Sequence, residues 1–297
     1  MSEKSVQECK LCHCGDGLCQ NPPKKEGVVL HLKRNSRKEG GENCEQTSSE
    51  YIPDGEPHVF NGRVYVYGSH DRFNAPIFCV NDYVCWSAPV EDLSEWRYEG
   101  VIYRKKQDPK NPLGYHLLFA PDVCQGPDGR YYLYYAFDFL GIMSVAVCDT
   151  PAGEYKFLGH IHYADGTLWG RRRGDQLPFD PGVLVDDDGR VWLYSGFYNA
   201  VPAILTGGHK LRCDGGTVLE LEKDMVTIKT EPRVIFPKKG PGAFQGHEFF
   251  EAPSIRKVGD TYYFVYSSIL MHELCYATSK NPTRDFVYGG VIVSNCD

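Results

Sequence analysis

The stretch Asp128-Gly129-Arg130-Tyr131-Tyr132-Leu133-Tyr134-Tyr135 decides the fold class of this chain. An Asp-Gly turn signal runs straight into aromatic and apolar residues, the strongest short-range mark of a β-hairpin. The same arrangement recurs where Asn61-Gly62 precedes Arg63-Val64-Tyr65-Val66-Tyr67 and where Asp188-Gly189 precedes Arg190-Val191-Trp192-Leu193-Tyr194. A fourth copy has Gly259-Asp260 before Thr261-Tyr262-Tyr263-Phe264-Val265-Tyr266. Upstream of each turn lies an X-Pro pair: Glu56-Pro57-His58-Val59, Ala120-Pro121-Asp122-Val123, Asp180-Pro181-Gly182-Val183 and Ala252-Pro253-Ser254-Ile255. The copies repeat at roughly 60–70 residues, the interval of a propeller blade with loop insertions.

Each unit continues into a second hairpin. Examples are Val84-Cys85-Trp86-Ser87 to Arg97-Tyr98-Glu99-Gly100 and Leu274-Cys275-Tyr276-Ala277 to Phe286-Val287-Tyr288-Gly289. The third unit keeps only a blurred version of it, around Thr217–Phe236. No helical period of useful length competes. Repeated four-stranded units predict an all-β chain folded as a β-propeller.

The 297 residues are 42% hydrophobic, 13% aromatic and 24% charged, which is ample core material for a globular chain. No apolar run reaches the ~18–20 residues of a membrane-spanning helix. A net charge of −7 argues against a nucleic-acid partner, which calls for a basic face. The opening Met1–Lys10 lacks an apolar signal core, so the expected location is cytoplasmic. Composition changes near residue 50: residues 1–49 are polar and Cys-containing, too poor in apolar side chains to offset ordering entropy, and are read as a disordered extension. Cys9, Cys12, Cys14 and Cys19 form one compact cluster without a second pair at zinc-finger distance, so loose thiols are preferred to a metal site. The remaining cysteines are scattered, several of them inside apolar runs such as Cys79, Cys85, Cys148 and Cys275, and are read as reduced.

Carboxylates open the repeats: Asp54 and Glu56, Asp122, Asp180, and Glu251. In a propeller these positions converge near the axis, where like charges repel and must be desolvated. Glycoside hydrolysis supplies a reason to gather them, because it needs a protonated acid on one side of the anomeric carbon and an ionised carboxylate on the other.

On these residues the chain resembles glycoside hydrolase family 43. Pro53-Asp54 with Glu56-Pro57-His58-Val59, Phe179-Asp180-Pro181-Gly182-Val183 and Phe250-Glu251-Ala252-Pro253-Ser254-Ile255 look like its three catalytic motifs, and Phe119-Ala120-Pro121-Asp122-Val123 looks like its blade-two motif. The resemblance covers residues 50–297. It implies a propeller of the five-bladed type with about four blades present, acting on arabinose- or xylose-containing oligosaccharides by inverting hydrolysis of α-L-arabinofuranosyl or β-D-xylosyl linkages. It assigns Asp180 as the modulator of the acid's pKa and Glu251 as general acid. For the base, ungapped matching points to Glu56, whereas residue type and the Pro-Asp pair point to Asp54. Asp54 is preferred, since a shorter carboxylate leaves more room for the attacking water. No cofactor is implied as required; a structural calcium ion, held through water near an axial His of a fifth unit, belongs to full-length relatives.

Other positions carry two readings each. Asp122 is a ring-closing hydrogen-bond residue or a sugar contact. His70 lines the pocket or caps a turn. Trp169, in a Gly- and Arg-rich loop, is expected at the rim, where it would stack on sugar. Trp86 is assigned to the core, Arg171-Arg172-Arg173 to a solvated loop, and His247 to hydrogen-bonded structure. The chain ends without the fifth unit of the family and is read as truncated. A catalytically impaired sugar-binding remnant therefore competes with an active hydrolase.

Overall fold

The computed structural model describes residues 29–30, 50–240, 242–270 and 273–294. A short pair, β1 (Val29–Leu30) and β2 (Glu50–Tyr51), runs antiparallel ahead of the main body. The rest of the 1–49 extension, its cysteine cluster included, lies outside the described residues.

Four antiparallel sheets follow, each of four strands. Blade 1 holds β3 (Glu56–Phe60), β4 (Arg63–Tyr67), β5 (Tyr83–Pro89) and β6 (Arg97–Tyr103). Blade 2 holds β7 (Asp122–Gln125), β8 (Tyr131–Ala136), β9 (Met143–Cys148) and β10 (Lys156–His160). Blade 3 holds β11 (Gly182–Val185), β12 (Val191–Ser195), β13 (Gly215–Leu221) and β14 (Arg233–Pro237). Blade 4 holds β15 (Phe249–Val258), β16 (Thr261–Ser268), β17 (Glu273–Ser279) and β18 (Val287–Ser294). Every sheet is a simple up-and-down meander. The blurred third unit is a regular blade, and the four-bladed propeller read from the repeats is the observed fold.

The turns explain the regularity. Asn61 and Gly62 both have positive φ, 50° and 75°, as a two-residue hairpin turn of the favoured hand requires. In blades 2 and 3 an Asp-Gly-Arg turn is locked by its own side chains. Arg130 N donates to Asp128 Oδ1 at 3.1 Å and Arg190 N to Asp188 Oδ1 at 3.0 Å.

Strand alternation then distributes the aromatics. On β8, Tyr131, Leu133 and Tyr135 pack towards blade 1, while Tyr132 and Tyr134 pack towards blade 3. On β12, Val191 and Leu193 face blade 2, and Trp192 and Tyr194 face blade 4. The middle blades are thus buried on both faces, which is why their strands read as unbroken apolar runs. On β16 burial alternates instead: Tyr262, Phe264 and Tyr266 are covered and Tyr263 is exposed. A repeated tyrosine clips each blade to the next. Tyr67 Oη donates to Pro151 O at 2.7 Å, Tyr134 Oη to Met225 O at 2.9 Å and Tyr194 Oη to Pro282 O at 2.5 Å. The innermost strands β3, β7, β11 and β15 touch in succession, so the X-Pro segments gather around one axis.

Candidate active site

Two phenylalanines explain why the motif acids meet. Phe179 and Phe250, each directly before a motif carboxylate, bury their rings against Phe197, with centroids 4.6 and 5.4 Å away. Phe119 closes the same cluster edge-on to Phe179 at 5.8 Å. With the rings pinned together, the next residues, Asp180 and Glu251, are brought to neighbouring positions. Asp180 is buried, and its Oδ2 accepts a hydrogen bond from Ala252 N, the residue after Glu251, at 3.2 Å. Glu251 is half-buried on β15, and the ladder to β16 shifts register on both sides of it. Such bulges re-aim side chains.

Asp54 approaches from blade 1. It is exposed, and its Oδ2 accepts a 2.9 Å hydrogen bond from the fully buried Ser69 hydroxyl. Asp54 and Asp180 flank the same buried pair, Cys79 and Tyr83. Burial drives the Cys79 thiol pKa well up; Ser69 opposes the rise, and the Asp54, Asp71 and Asp180 charges reinforce it. Burial likewise raises the Tyr83 phenol, with Cys79, Asp180 and Asp54 adding to the effect. Asp54 and Asp180 therefore act on one buried pair, and Asp180 is bonded to the backbone that follows Glu251.

The backbone there is strained. Asp54, Asp180 and Ala252 have φ of 55°, 46° and 57°, in the left-handed region that non-glycine residues rarely occupy. Strain of this kind persists where surrounding structure over-determines the geometry, commonly at functional sites.

Glu56 is engaged by residues of blade 4. Its Oε1 accepts from Ser254 Oγ at 2.7 Å and from the Arg256 guanidinium. Burial and then the Asp122 charge raise its pKa, against the pull of Arg256, His58 and Ser254. Asp122 is fully buried and takes the hydrogen-bonding option. Its Oδ1 meets His58 Nε2 at 2.6 Å and Val123 N at 2.7 Å, and its Oδ2 accepts from Val183 N at 2.6 Å. It thereby ties blades 1, 2 and 3.

Several expectations for the rim need correction. Trp169 is 1% exposed and packs in the core between blades 2 and 3. Arg171 is no solvated residue either: it donates to Gly141 O and Leu140 O, both at 3.0 Å, folding the loop down over that tryptophan. His70 takes the holding role, with Nδ1 2.8 Å from Asp82 O and Nε2 3.2 Å from Glu50 Oε2. Trp86 is core, and His247 is hydrogen-bonded structure, 2.7 Å from Glu273. Sequence reading missed Ser69, Arg256 and Phe78. The last is an exposed aromatic beside Cys79 whose ring lies 5.4 Å from that of Phe119. It follows no repeat and has no periodic signal.

Among the described residues, the group Glu56, His58 and Asp122 offers no open shell for a calcium ion. Glu56, His58 and Asp122 bring donor atoms within 4.8 Å of one another. However, Arg256 already faces Glu56 and His58, and both oxygens of Asp122 are engaged.

Comparison with known proteins agrees with this fold. Residues 52–286 match the family model of glycosyl hydrolases family 43. The chain is 63% identical over 254 residues to a xylosidase/arabinosidase of Thermoclostridium stercorarium, covering 84% of this chain and 52% of that protein. It therefore spans about half the length of that relative. A Bacteroides ovatus xylosidase/arabinosidase is 32% identical, over 82% of this chain and 79% of its own. Among solved structures, a β-xylosidase/α-arabinofuranosidase from a compost microbial metagenome, in complex with xylotriose and calcium-free, superposes with a TM-score of 0.62 at 28% identity, covering 82% of this chain and 78% of that one. Motifs, blades and relatives converge on one assignment: the chain belongs to glycosyl hydrolases family 43.

Proposed function

We propose that this chain hydrolyses terminal β-D-xylosyl or α-L-arabinofuranosyl linkages by single displacement with inversion. Asp54 takes the proton of a water as it attacks the anomeric carbon, and Glu251 gives its proton to the departing glycosidic oxygen. The C–O bond to water forms as the bond to the leaving group breaks; afterwards Asp54 holds a proton, Glu251 is a carboxylate, and exchange with solvent resets both. Asp180 keeps negative charge beside Glu251, disfavouring a second one there and so helping it retain its proton.

One observation carries this reading: Asp180 is hydrogen-bonded to the backbone next to Glu251, and its charge acts together with that of Asp54 on the buried Cys79 thiol. The base is Asp54 rather than Glu56, because Glu56 is ion-paired with Arg256 and bonded to Ser254, whereas Asp54 is exposed to incoming water. The substrate class is supported by the dual names of the similar enzymes and by xylotriose in the solved relative.

The test is turnover of aryl β-D-xylosides and α-L-arabinofuranosides, with the first-formed anomer read by proton NMR. Inverted product is expected, and Glu251→Gln should harm poor leaving groups far more than activated aryl ones, which need little protonation. Retained configuration, or sugar binding without turnover of either substrate, would overturn the proposal.

A further inference from the structure

The axis of the propeller carries its own cation. Arg256 enters from β15 of blade 4, its Nη1 donating to Ile255 O at 2.7 Å. Its Nη2 donates to two acceptors of blade 1, Glu56 Oε1 and Pro57 O at 2.9 Å, and lies 3.3 Å from His58 Nε2, whose own proton goes to Asp122. A carboxylate oxygen and a backbone carbonyl are ordinary metal ligands, and here they converge on one guanidinium nitrogen. Asp122 completes the group, 2.6 Å from His58. Two carboxylates this close to each other repel, and the Asp122 charge works against the ionisation of Glu56. Something positive must balance them.

A calcium ion does so with six to eight oxygen ligands at about 2.3–2.6 Å. That shell is not on offer. Asp122 spends its oxygens on Val123 N, Val183 N and His58, and Glu56 Oε1 is shared by Ser254 and Arg256. An added divalent ion would meet the guanidinium head-on. We propose that Arg256 is the resident axial cation of this protein, occupying the charge-balancing place of a divalent metal and joining blade 4 to blade 1 in the process. This group of side chains is then charge-balanced without calcium. This holds however the catalytic carboxylates are assigned.

The experiment uses the full chain and two readouts besides activity: thermal unfolding, and calorimetric titration with calcium chloride alone. At about 5 mM calcium, above the Kd of even the weak extracellular class of protein sites, the wild type should show a flat isotherm, and neither calcium nor EDTA should move Tm. Arg256→Gln leaves Glu56 and Asp122 unbalanced; its Tm should fall by several degrees and calcium should restore part of that loss saturably. Arg256→Lys keeps the charge and should stay calcium-blind. Should Arg256→Gln not fold, the double variant Arg256→Gln/Glu56→Gln, which removes both charges, should fold and remain calcium-blind. Saturable calcium binding with a Tm gain in the wild type overturns the proposal. So does an Arg256→Gln protein with wild-type Tm, or one whose loss calcium does not offset at all, or a double variant that fails to fold or gains stability from calcium.

Discussion

Gly182 stands where blades 3 and 4 come closest. A Cβ on this residue would overlap the Pro253 carbonyl oxygen outright and reach its carbonyl carbon at 3.0 Å. The obstacle is backbone, so no side-chain rotation relieves it. For Gly182→Ala, β11 must retreat from β15 by about 1 Å, an overpacking that typically costs about 1–3 kcal/mol. At about 2–4 °C per kcal/mol for a domain of this size, Tm should drop by about 2–12 °C. The same retreat pulls Asp180 from Ala252 N, whose hydrogen bond is already long at 3.2 Å. A misplacement of this size in a catalytic constellation costs on the order of 100-fold in rate. The assay is calorimetric Tm together with kcat/KM on an aryl xyloside, taken well below the variant's melting range. Loss of kcat at nearly constant KM is expected, because aglycone and sugar contacts are untouched. A Gly182→Ala enzyme with wild-type Tm and wild-type kcat/KM would refute the close approach and the positioning argument built on it.

Asp54→Asn should abolish turnover at unchanged Tm, whereas Glu56→Gln should lower Tm and spare much of the rate; the reverse pattern in paired melting and kinetic runs would transfer the base role to Glu56. Asp122→Ala orphans Val123 N and Val183 N and strips His58 of its partner, so denaturant titration should show a loss of about 3–5 kcal/mol; a loss under about 1 kcal/mol would mean the blades do not depend on it. For His70, burial lowers the pKa, but Glu50, the Asp82 carbonyl and Asp71 outweigh it, and the folded value lies above 6.5. The ionised ring thus stabilises the fold fully below the unfolded value near ~6.5, and that contribution fades as pH rises through the folded one. The Tm gap between wild type and His70→Gln should therefore be wider at about pH 5.5 than at about pH 8.5, and a gap that widens with alkalinity contradicts the assignment.

Blades were legible because a turn signal and a period-2 strand are local properties. Asp128-Gly129 followed by Tyr131–Tyr135 needs no distant partner to be a hairpin. The motif acids stood out for a related reason: repetition places Asp54, Asp180 and Glu251 close to the X-Pro start of blades 1, 3 and 4, and a propeller brings those starts together. What strand alternation leaves open is the partner across the axis. Arg256 looks like any outward charge on a strand until blade 4 meets Glu56 and His58. Asp122 had two open readings because the choice depends on Val183 N, supplied by another blade. Trp169 misled for a physical reason. Glycines and arginines around it signal solvent, yet Arg171 spends its guanidinium on the carbonyls of Leu140 and Gly141 and lays the loop over the indole. A long cationic side chain can roof a core as well as face water.

The contact between Arg256 and Glu56 also sets an order of events as the chain folds. Each blade joins strands adjacent in sequence, and the Asp122 ties span only 61 and 64 residues, but Arg256 reaches back 200 residues to Glu56. Loop-closure entropy grows by about 0.6 kcal/mol per doubling of length, so this contact costs about 1 kcal/mol more to close than the inter-blade ties. During synthesis it also becomes available later than the Asp122 ties, since domains assemble from the N-terminus as they emerge. Three blades therefore stand finished, with Glu56 still without its guanidinium partner, until the fourth arrives and brings Arg256 to it.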